Sequence, residues 1–340
     1  MRIGKPFAIS NPAAINRMNN DQVFLFLTHL YSEEIAGEFE KLQDATKALG
    51  TCILLYQQKS GRPMDRRFLR FPHYIQTDMD LVKLSDAPYF ADSPACFKPD
   101  RSLIAFSRKH RYGYYWLIEY DVRFSGNWEY FFRYFSESHE DFLTSHIRRY
   151  QQEPDWYFWG LGRFDEKVDL AQALRSFNPI FRISYPALDY VYQIYLKGWT
   201  GIYEALIPTL LFQGNFTLRD FGGTGDFVLP QDINRFYLDS SSCELLDGKT
   251  MRYRPPHNSL SGYPANKLVH PVKPRSMHSS LKTAVARYVD LSRVIADLLR
   301  FVRVTRSNGL HEAWRLARSR VRRSGKGRYP HFDDISHGAG

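Results

Sequence analysis

The feature of this 340-residue chain that can do chemistry is Glu119-Tyr120-Asp121, placed directly after the apolar run Tyr114-Tyr115-Trp116-Leu117-Ile118. In an extended chain, residues two apart project to the same side, so both carboxylates face one point at the end of a buried strand. Open parallel sheets bind their ligands at the carboxyl edge. A hard divalent cation prefers oxygen ligands and commonly bridges carboxylates to phosphate oxygens. Bound there, it neutralises the charge that builds on a leaving diphosphate. The plainer alternative is two solvated acids in a turn, because the [DE]x[DE] pattern is common. The position after a buried strand brings the ligand reading level with it, and both stay open.

The elements that must position this pair follow from hydrophobic pattern. Val23–Thr28 is a short run of strand formers, read as a buried first strand. Ser32 and two acids open a helix carrying Ile35, Phe39, Leu42 and Leu49, which Gly50 closes. Cys52–Tyr56 is a second strand, so the opening is a βαβ unit of a parallel sheet. It carries no GxGxxG and no P-loop. Residues 57–97, broken by Pro63, Pro72, Pro88 and Pro94, read as irregular. Then come a helix over Arg101–His110, a strand over Tyr114–Ile118, a helix over Asn127–Phe135 and a strand over Asp141–Ser145. Ser184–Lys197 reads as a helix with Pro186 near its first turn and Gly198 as its stop. Tyr203–Leu211 is a further apolar helix containing Pro208, and Phe221–Pro274 reads as ordered loops.

Several blocks resemble bacterial glycosyltransferase-like proteins of the GT-A, nucleotide-diphospho-sugar transferase type. They are Tyr115–Val122 with Gly126-Asn127-Trp128, Asp141-Phe142-Leu143, Gly198–Glu204, Asp220–Gly223 and Asn266–Lys273, in the expected order over residues 21–274. The resemblance implies a GT-A fold: α/β, Rossmann-like, with a mostly parallel central sheet flanked by helices. It implies that the acidic triplet is the DxD motif holding Mn²⁺ or Mg²⁺, with Glu119 standing where the motif has Asp. It also implies His270 as the third metal ligand; a neutral imidazole joins carboxylates on Mn²⁺ more readily than on Mg²⁺. His257, in the same late loops, competes for that role. Glu204 matches the acidic position facing the acceptor, where a general base is needed, although an acid there also suits a helix N-terminus. Thr28 and His29 would line the nucleotide pocket, and Lys273 and Arg275 would pair with donor phosphates. Trp199 and Tyr203 flank the implied acceptor cleft, and Trp159 with Gly160 is another candidate for stacking on a sugar. Core packing is the competing account of each aromatic.

Composition sets the remaining bounds. Hydrophobic residues at 44% suffice for a sizeable core, and the 16% of aromatics suits both cores and sugar-stacking surfaces. Cys52, Cys96 and Cys243 form no CxxC pair, which argues against a disulfide framework and for a reducing, cytoplasmic setting. The first twenty residues have no apolar h-region, and no apolar stretch approaches the roughly 20 residues of a membrane span.

Of the net charge of +10, all resides near the end of the chain. Between Lys282 and Arg328 stand 13 Lys/Arg against three acids, leaving 33 basic and 33 acidic residues elsewhere. Ser279–Val304 reads as an amphipathic helix with a stripe of Leu281, Val285, Tyr288, Ile295, Leu298 and Val302. A second basic helix runs to about Arg323. The expected organisation is a tail over 1–20, a catalytic domain over 21–277, a basic helical extension over 278–325 and a disordered end over 326–340. The extension suits an anionic membrane surface, which would make the protein peripheral on the inner face of the membrane.

Two other classes compete with a transferase of glycan or lipid-linked acceptors. A nucleic-acid-binding protein would use the basic helices, but no RRM, KH or zinc motif is present. A non-catalytic relative is kept open by Glu119. The Ser138-His139 and Ser145-His146 pairs make no hydrolase, since no GxSxG occurs.

Overall fold

The structure is a computed structural model that describes residues 21–58, 63–77, 80–81, 84, 99–156, 158–163, 166–239, 250–253, 256–257, 260 and 262–274. The expected N-terminal tail, Arg275, both basic helices and the C-terminal end lie outside those residues.

The strands are β1 Gln22–Thr28, β2 Thr51–Gln58, β3 His73–Thr77, β4 Tyr114–Glu119, β5 Arg123–Phe124, β6 Phe142–Arg149, β7 Gly162–Arg163, β8 Glu166–Lys167, β9 Leu174–Ser184, β10 Leu218–Asp220 and β11 Leu268–Val269. The α-helices are α1 Glu33–Thr46, α2 Pro99–Lys109, α3 Trp128–Ser136, α4 Tyr185–Leu196 and α5 Tyr203–Gln213. Seven strands form one sheet in the order β10-β6-β9-β4-β1-β2-β3. All neighbours are parallel except β9, which runs antiparallel between β4 and β6. The class is α/β with a mostly parallel central sheet flanked by helices, as expected.

Strand β1 shows why the apolar runs become central strands. Phe24 and Phe26 enter one cluster with Ile35 and Phe39 of α1 and Phe131, Phe132 and Phe135 of α3. Val23, Leu25 and Leu27 enter the other with Leu103 and Phe106 of α2, Leu188 and Val191 of α4, and Leu206 and Leu210 of α5. Every position along such a strand faces helices on one side or the other. The helix starts follow their caps. Ser32, Asn127 and Ser184 each accept a backbone N–H from the first turn of α1, α3 and α4.

Two strands correct the sequence reading. The stretch taken as irregular contains a 3₁₀ turn at Arg66–Arg70 and edge strand β3, whose His-Tyr-Ile-Gln-Thr sequence and preceding Pro72 hide it. Strand β9 carries Arg175, Ser176, Asn178, Pro179 and Arg182, which gives no apolar alternation, yet all eleven of its residues are buried. Each polar side chain has at least one partner within the fold. The Arg182 guanidinium donates to the carbonyls of Phe135, Ser138 and Glu140, closing the C-terminal end of α3. Pro179 falls where β9 loses its register with β6, so its missing N–H breaks no regular ladder. Strand β6 also runs past Ser145, to Arg149.

Replacing Arg182 with leucine removes the donor to those buried carbonyls. The variant should lose about 3 kcal/mol of unfolding free energy in a urea titration. A change below about 0.5 kcal/mol, the range of an inert surface substitution, would contradict this account of β9.

Candidate metal centre

Glu119 ends β4, and Tyr120 donates its backbone N–H to Leu27 of β1 at 3.0 Å. The chain therefore stays nearly extended as it leaves the sheet, and Glu119 and Asp121 reach the same place. His270 arrives from 149 residues downstream of Asp121. Strand β11 pairs antiparallel with β5, Leu268 opposite Phe124 and Val269 opposite Arg123. The Val272 N–H bonds the Asp121 carbonyl at 2.8 Å, and the His270 N–H bonds the Thr250 carbonyl at 2.9 Å. Backbone pairing of 268–272 with 121–124 and with Thr250 thus holds the histidine over the end of β4.

Glu119, Asp121 and His270 each offer one ligand atom, and these three atoms lie within 4.8 Å of one another. His270 Nε2 is 3.5 Å from Asp121 Oδ1 and 4.0 Å from Glu119 Oε2. Ligands on a small octahedral cation with bonds of about 2.1 Å lie roughly 3 to 4.2 Å apart, so the spacing suits an ion. Two further observations agree. Asp121 Oδ1 is buried and has no hydrogen-bond partner. His270 Nδ1 donates to the Arg252 carbonyl at 2.8 Å, which turns Nε2 toward the carboxylates. A carboxylate–carboxylate–imidazole set could hold a divalent metal ion.

The electrostatics are those of a crowded, dry site. Burial and the neighbouring Asp121 charge push the Glu119 carboxyl well above its ordinary range, and Lys273 offsets only part of this. Burial also pushes Asp121 up, but His270 and Lys273 beside it outweigh that and hold it well below the carboxylate range. The Lys273 ammonium bonds Asp121 Oδ2 directly and the Tyr120 hydroxyl at 3.1 Å. Sequence reading assigned Lys273 to phosphate oxygens; here it faces the carboxylate that the ion would share. His257 is not a ligand in this arrangement. Its Nε2 lies 3.1 Å from the His270 carbonyl, so it braces the ligand from behind.

The other sequence candidates fall around this centre. Thr28 and His29 stand at the end of β1, next to β4, with the His29 ring edge-on to Tyr120 at 5.5 Å. Glu204 lies in the first turn of α5. Burial raises its carboxyl to about 7, against the lowering effects of the Asn178 backbone N–H and of Arg175. Tyr203 precedes it, and burial followed by the charges of Glu204 and Glu119 raises its phenol well above the ordinary value. Trp199 and Trp159 are each only 7% exposed and pack in the helix-covered cluster. Trp159 meets Tyr150 and Trp156 and donates its indole N–H to the Glu153 carbonyl at 2.8 Å. Sequence reading missed Arg175, Glu153 and Asn178, the buried polar groups beside Glu204. Arg175 and Asn178 lie in β9, a stretch with no apolar alternation that sequence reading left unassigned.

Mn²⁺ added at about 100 times its dissociation constant should stabilise the fold by about 2.7 kcal/mol, read as a rise in Tm. Asp121→Asn should abolish the rise. An equal rise in that variant would place the ion elsewhere.

No protein-family model matches the sequence, and no curated protein does. Among solved structures, the chain is similar to a mycobacterial protein at 10% identity and TM-score 0.38, over 61% of this chain and 67% of the other. It is similar to glucosyl-3-phosphoglycerate synthase from Mycobacterium tuberculosis, in complex with Mn²⁺, UDP-glucose and phosphoglyceric acid, at 11% identity and TM-score 0.33, over 61% and 70%. It is also similar to the inositol-1-phosphate CTP transferase from T. maritima, at 10% identity and TM-score 0.34, over 63% and 92%. At TM-scores this low the likeness carries nothing about activity.

Proposed function

We propose that this chain is a metal-dependent glycosyltransferase of the GT-A type, moving a sugar from a nucleotide-sugar donor to a glycan or lipid-linked acceptor. The observation that carries the reading is the convergence of Glu119, Asp121 and His270 at the carboxyl edge of a mostly parallel sheet. A carboxyl of near-neutral pKa, Glu204, on a neighbouring helix supports it.

Mn²⁺ held by these three residues would supply Lewis-acid stabilisation of the donor's diphosphate. Lys273, already beside Asp121, adds a second positive charge for phosphate oxygens. Thr28 and His29 border the nucleotide on the β1 side. Glu204 takes the proton of the attacking acceptor hydroxyl on its carboxylate, with Tyr203 and Trp199 bordering the acceptor. A base with a pKa near the working pH balances ionised fraction against proton affinity, and burial gives Glu204 that balance. The basic extension over 278–325 holds the catalytic domain, residues 21–277, at an anionic membrane surface. Among the described residues no helix is long and apolar enough to cross a membrane. The full chain should co-sediment with phosphatidylserine vesicles at low salt and be released by high salt. No binding at low salt would remove the attachment.

The pH dependence has a definite sign. Glu204 works as the carboxylate, so activity is present above about 7 and falls on the acid side of that value. For stability the sign is opposite. The folded chain holds this proton more tightly than the unfolded one, so the Glu204 contribution falls as pH rises from about 4.5 through about 7. Glu204→Gln should lower kcat by about 10²- to 10⁴-fold and remove both slopes. Full activity in that variant, measured as Mn²⁺-dependent sugar release from the donor, would exclude Glu204 as the base.

A further inference from the structure

The two oxygens of the Asp121 carboxylate keep different company. Oδ1 is buried, has no hydrogen-bond partner and stands 3.5 Å from His270 Nε2. Oδ2 takes the ammonium of Lys273. That ammonium also donates to the Tyr120 hydroxyl at 3.1 Å and lies 4.9 Å from the centroid of the Tyr120 ring, within cation–π range. The backbone sets this approach. The Val272 N–H bonds the Asp121 carbonyl at 2.8 Å and brings residue 273 alongside the carboxylate. Lys273 is therefore placed by contacts to two consecutive residues of the turn that carries the metal ligands.

Taking the ammonium off Oδ2 is costly. The Asp121 side chain is 2% exposed and that of Lys273 22%, and a buried charge stripped of its partner is left uncompensated. The oxygen open to an ion without that penalty is Oδ1, beside the imidazole nitrogen that Glu119 Oε2 also approaches, at 4.0 Å. Lys273 thus divides the carboxylate, one oxygen for the chain's own cation and one for the ion. Coordination by Asp121 is held to a single oxygen.

The number of oxygens bears on which ion is held. Ca²⁺ takes about six to eight oxygen ligands and often uses both oxygens of one carboxylate, whereas a small octahedral ion takes about six ligands in all. Confining Asp121 to Oδ1 removes a ligand from the larger ion and none from the smaller. Charge does not enter the comparison. Mn²⁺ and Ca²⁺ are both dications, so repulsion by the ammonium weakens both alike and drops out of their ratio.

We infer that Lys273 is a specificity-determining residue of the metal centre: by occupying Asp121 Oδ2 it limits the carboxylate to one metal bond and so selects small six-coordinate ions, Mn²⁺ or Mg²⁺, over Ca²⁺. The inference rests on the metal centre of the transferase reading, but ion selectivity is read without donor, acceptor or turnover.

Mn²⁺ bound to the full chain loses the sharp electron-spin resonance of the aqueous ion, and Ca²⁺ that displaces it restores the signal. In the wild type, Ca²⁺ should displace Mn²⁺ only in large excess. Lys273→Met keeps an apolar stem and removes the donor. It should bring the two dissociation constants closer by about tenfold, the usual scale for losing a group that holds a metal ligand. Lys273→Arg keeps a donor for Oδ2 and should keep the wild-type ratio. Ready displacement in the wild type, an unchanged ratio in Lys273→Met, or an equal shift in both variants overturns the role of Lys273 and leaves the centre standing. Wild-type protein that takes up no Mn²⁺ removes the centre, and this selectivity with it.

A measurement on the wild type is independent of how either variant folds. Infrared difference spectra of Mn²⁺ uptake by protein carrying isotope-labelled aspartate should show the wide stretch splitting of a carboxylate bound through one oxygen. The narrow splitting of a carboxylate bound through both overturns the inference.

Discussion

Two carboxylates buried side by side repel each other, and the carboxyl edge of this sheet is arranged around that repulsion. With their ligand atoms within 4.8 Å of each other and an effective dielectric near 20, the cost is on the order of 3–4 kcal/mol. Asp121 remains ionised because Lys273 and His270 stand against it, while Glu119 is driven toward its protonated form. A divalent ion would relieve both residues, and the Asp121 oxygen that lacks a hydrogen bond faces His270 Nε2, where such an ion fits. Metal affinity and pH are therefore coupled here, because binding must drive off the Glu119 proton.

The fold serves that arrangement with few elements. Parallel pairing of β4 with β1 brings the ends of both strands to one edge, so Thr28, His29, Glu119 and Asp121 become neighbours without any tight motif. Inserting β9 antiparallel between β4 and β6 places its irregular middle beside the same edge. Helix α5 then packs against β9 with Glu204 in its first turn, where the Asn178 N–H reaches it. The bulged pair β6–β9 thus supplies the backbone donor for the candidate base.

Much of this was legible in the sequence because apolar runs and caps report local structure directly. The strand before Glu119, the Ser32, Asn127 and Ser184 caps and the helix carrying Glu204 could all be read from neighbouring residues. Strand β9 could not, since its polar residues are satisfied by groups distant in sequence: Arg175 by Glu153, and Arg182 by carbonyls at 135–140. Propensity and periodicity carry no trace of such pairings. The convergence of His270 on Asp121 came only through family resemblance, because a 149-residue separation leaves no spacing to interpret. The Lys273–Asp121 pair was likewise hidden; sequence showed a basic residue after His270 and nothing of the carboxylate it meets.

The most direct measurement is anomalous X-ray scattering from crystals soaked in Mn²⁺, with data collected on either side of the manganese absorption edge. The account predicts one strong anomalous peak bonded to Glu119, Asp121 and His270 Nε2. Crystals that bind the ion elsewhere, or that leave Lys273 and His270 alone facing Asp121 at saturating Mn²⁺, would contradict it.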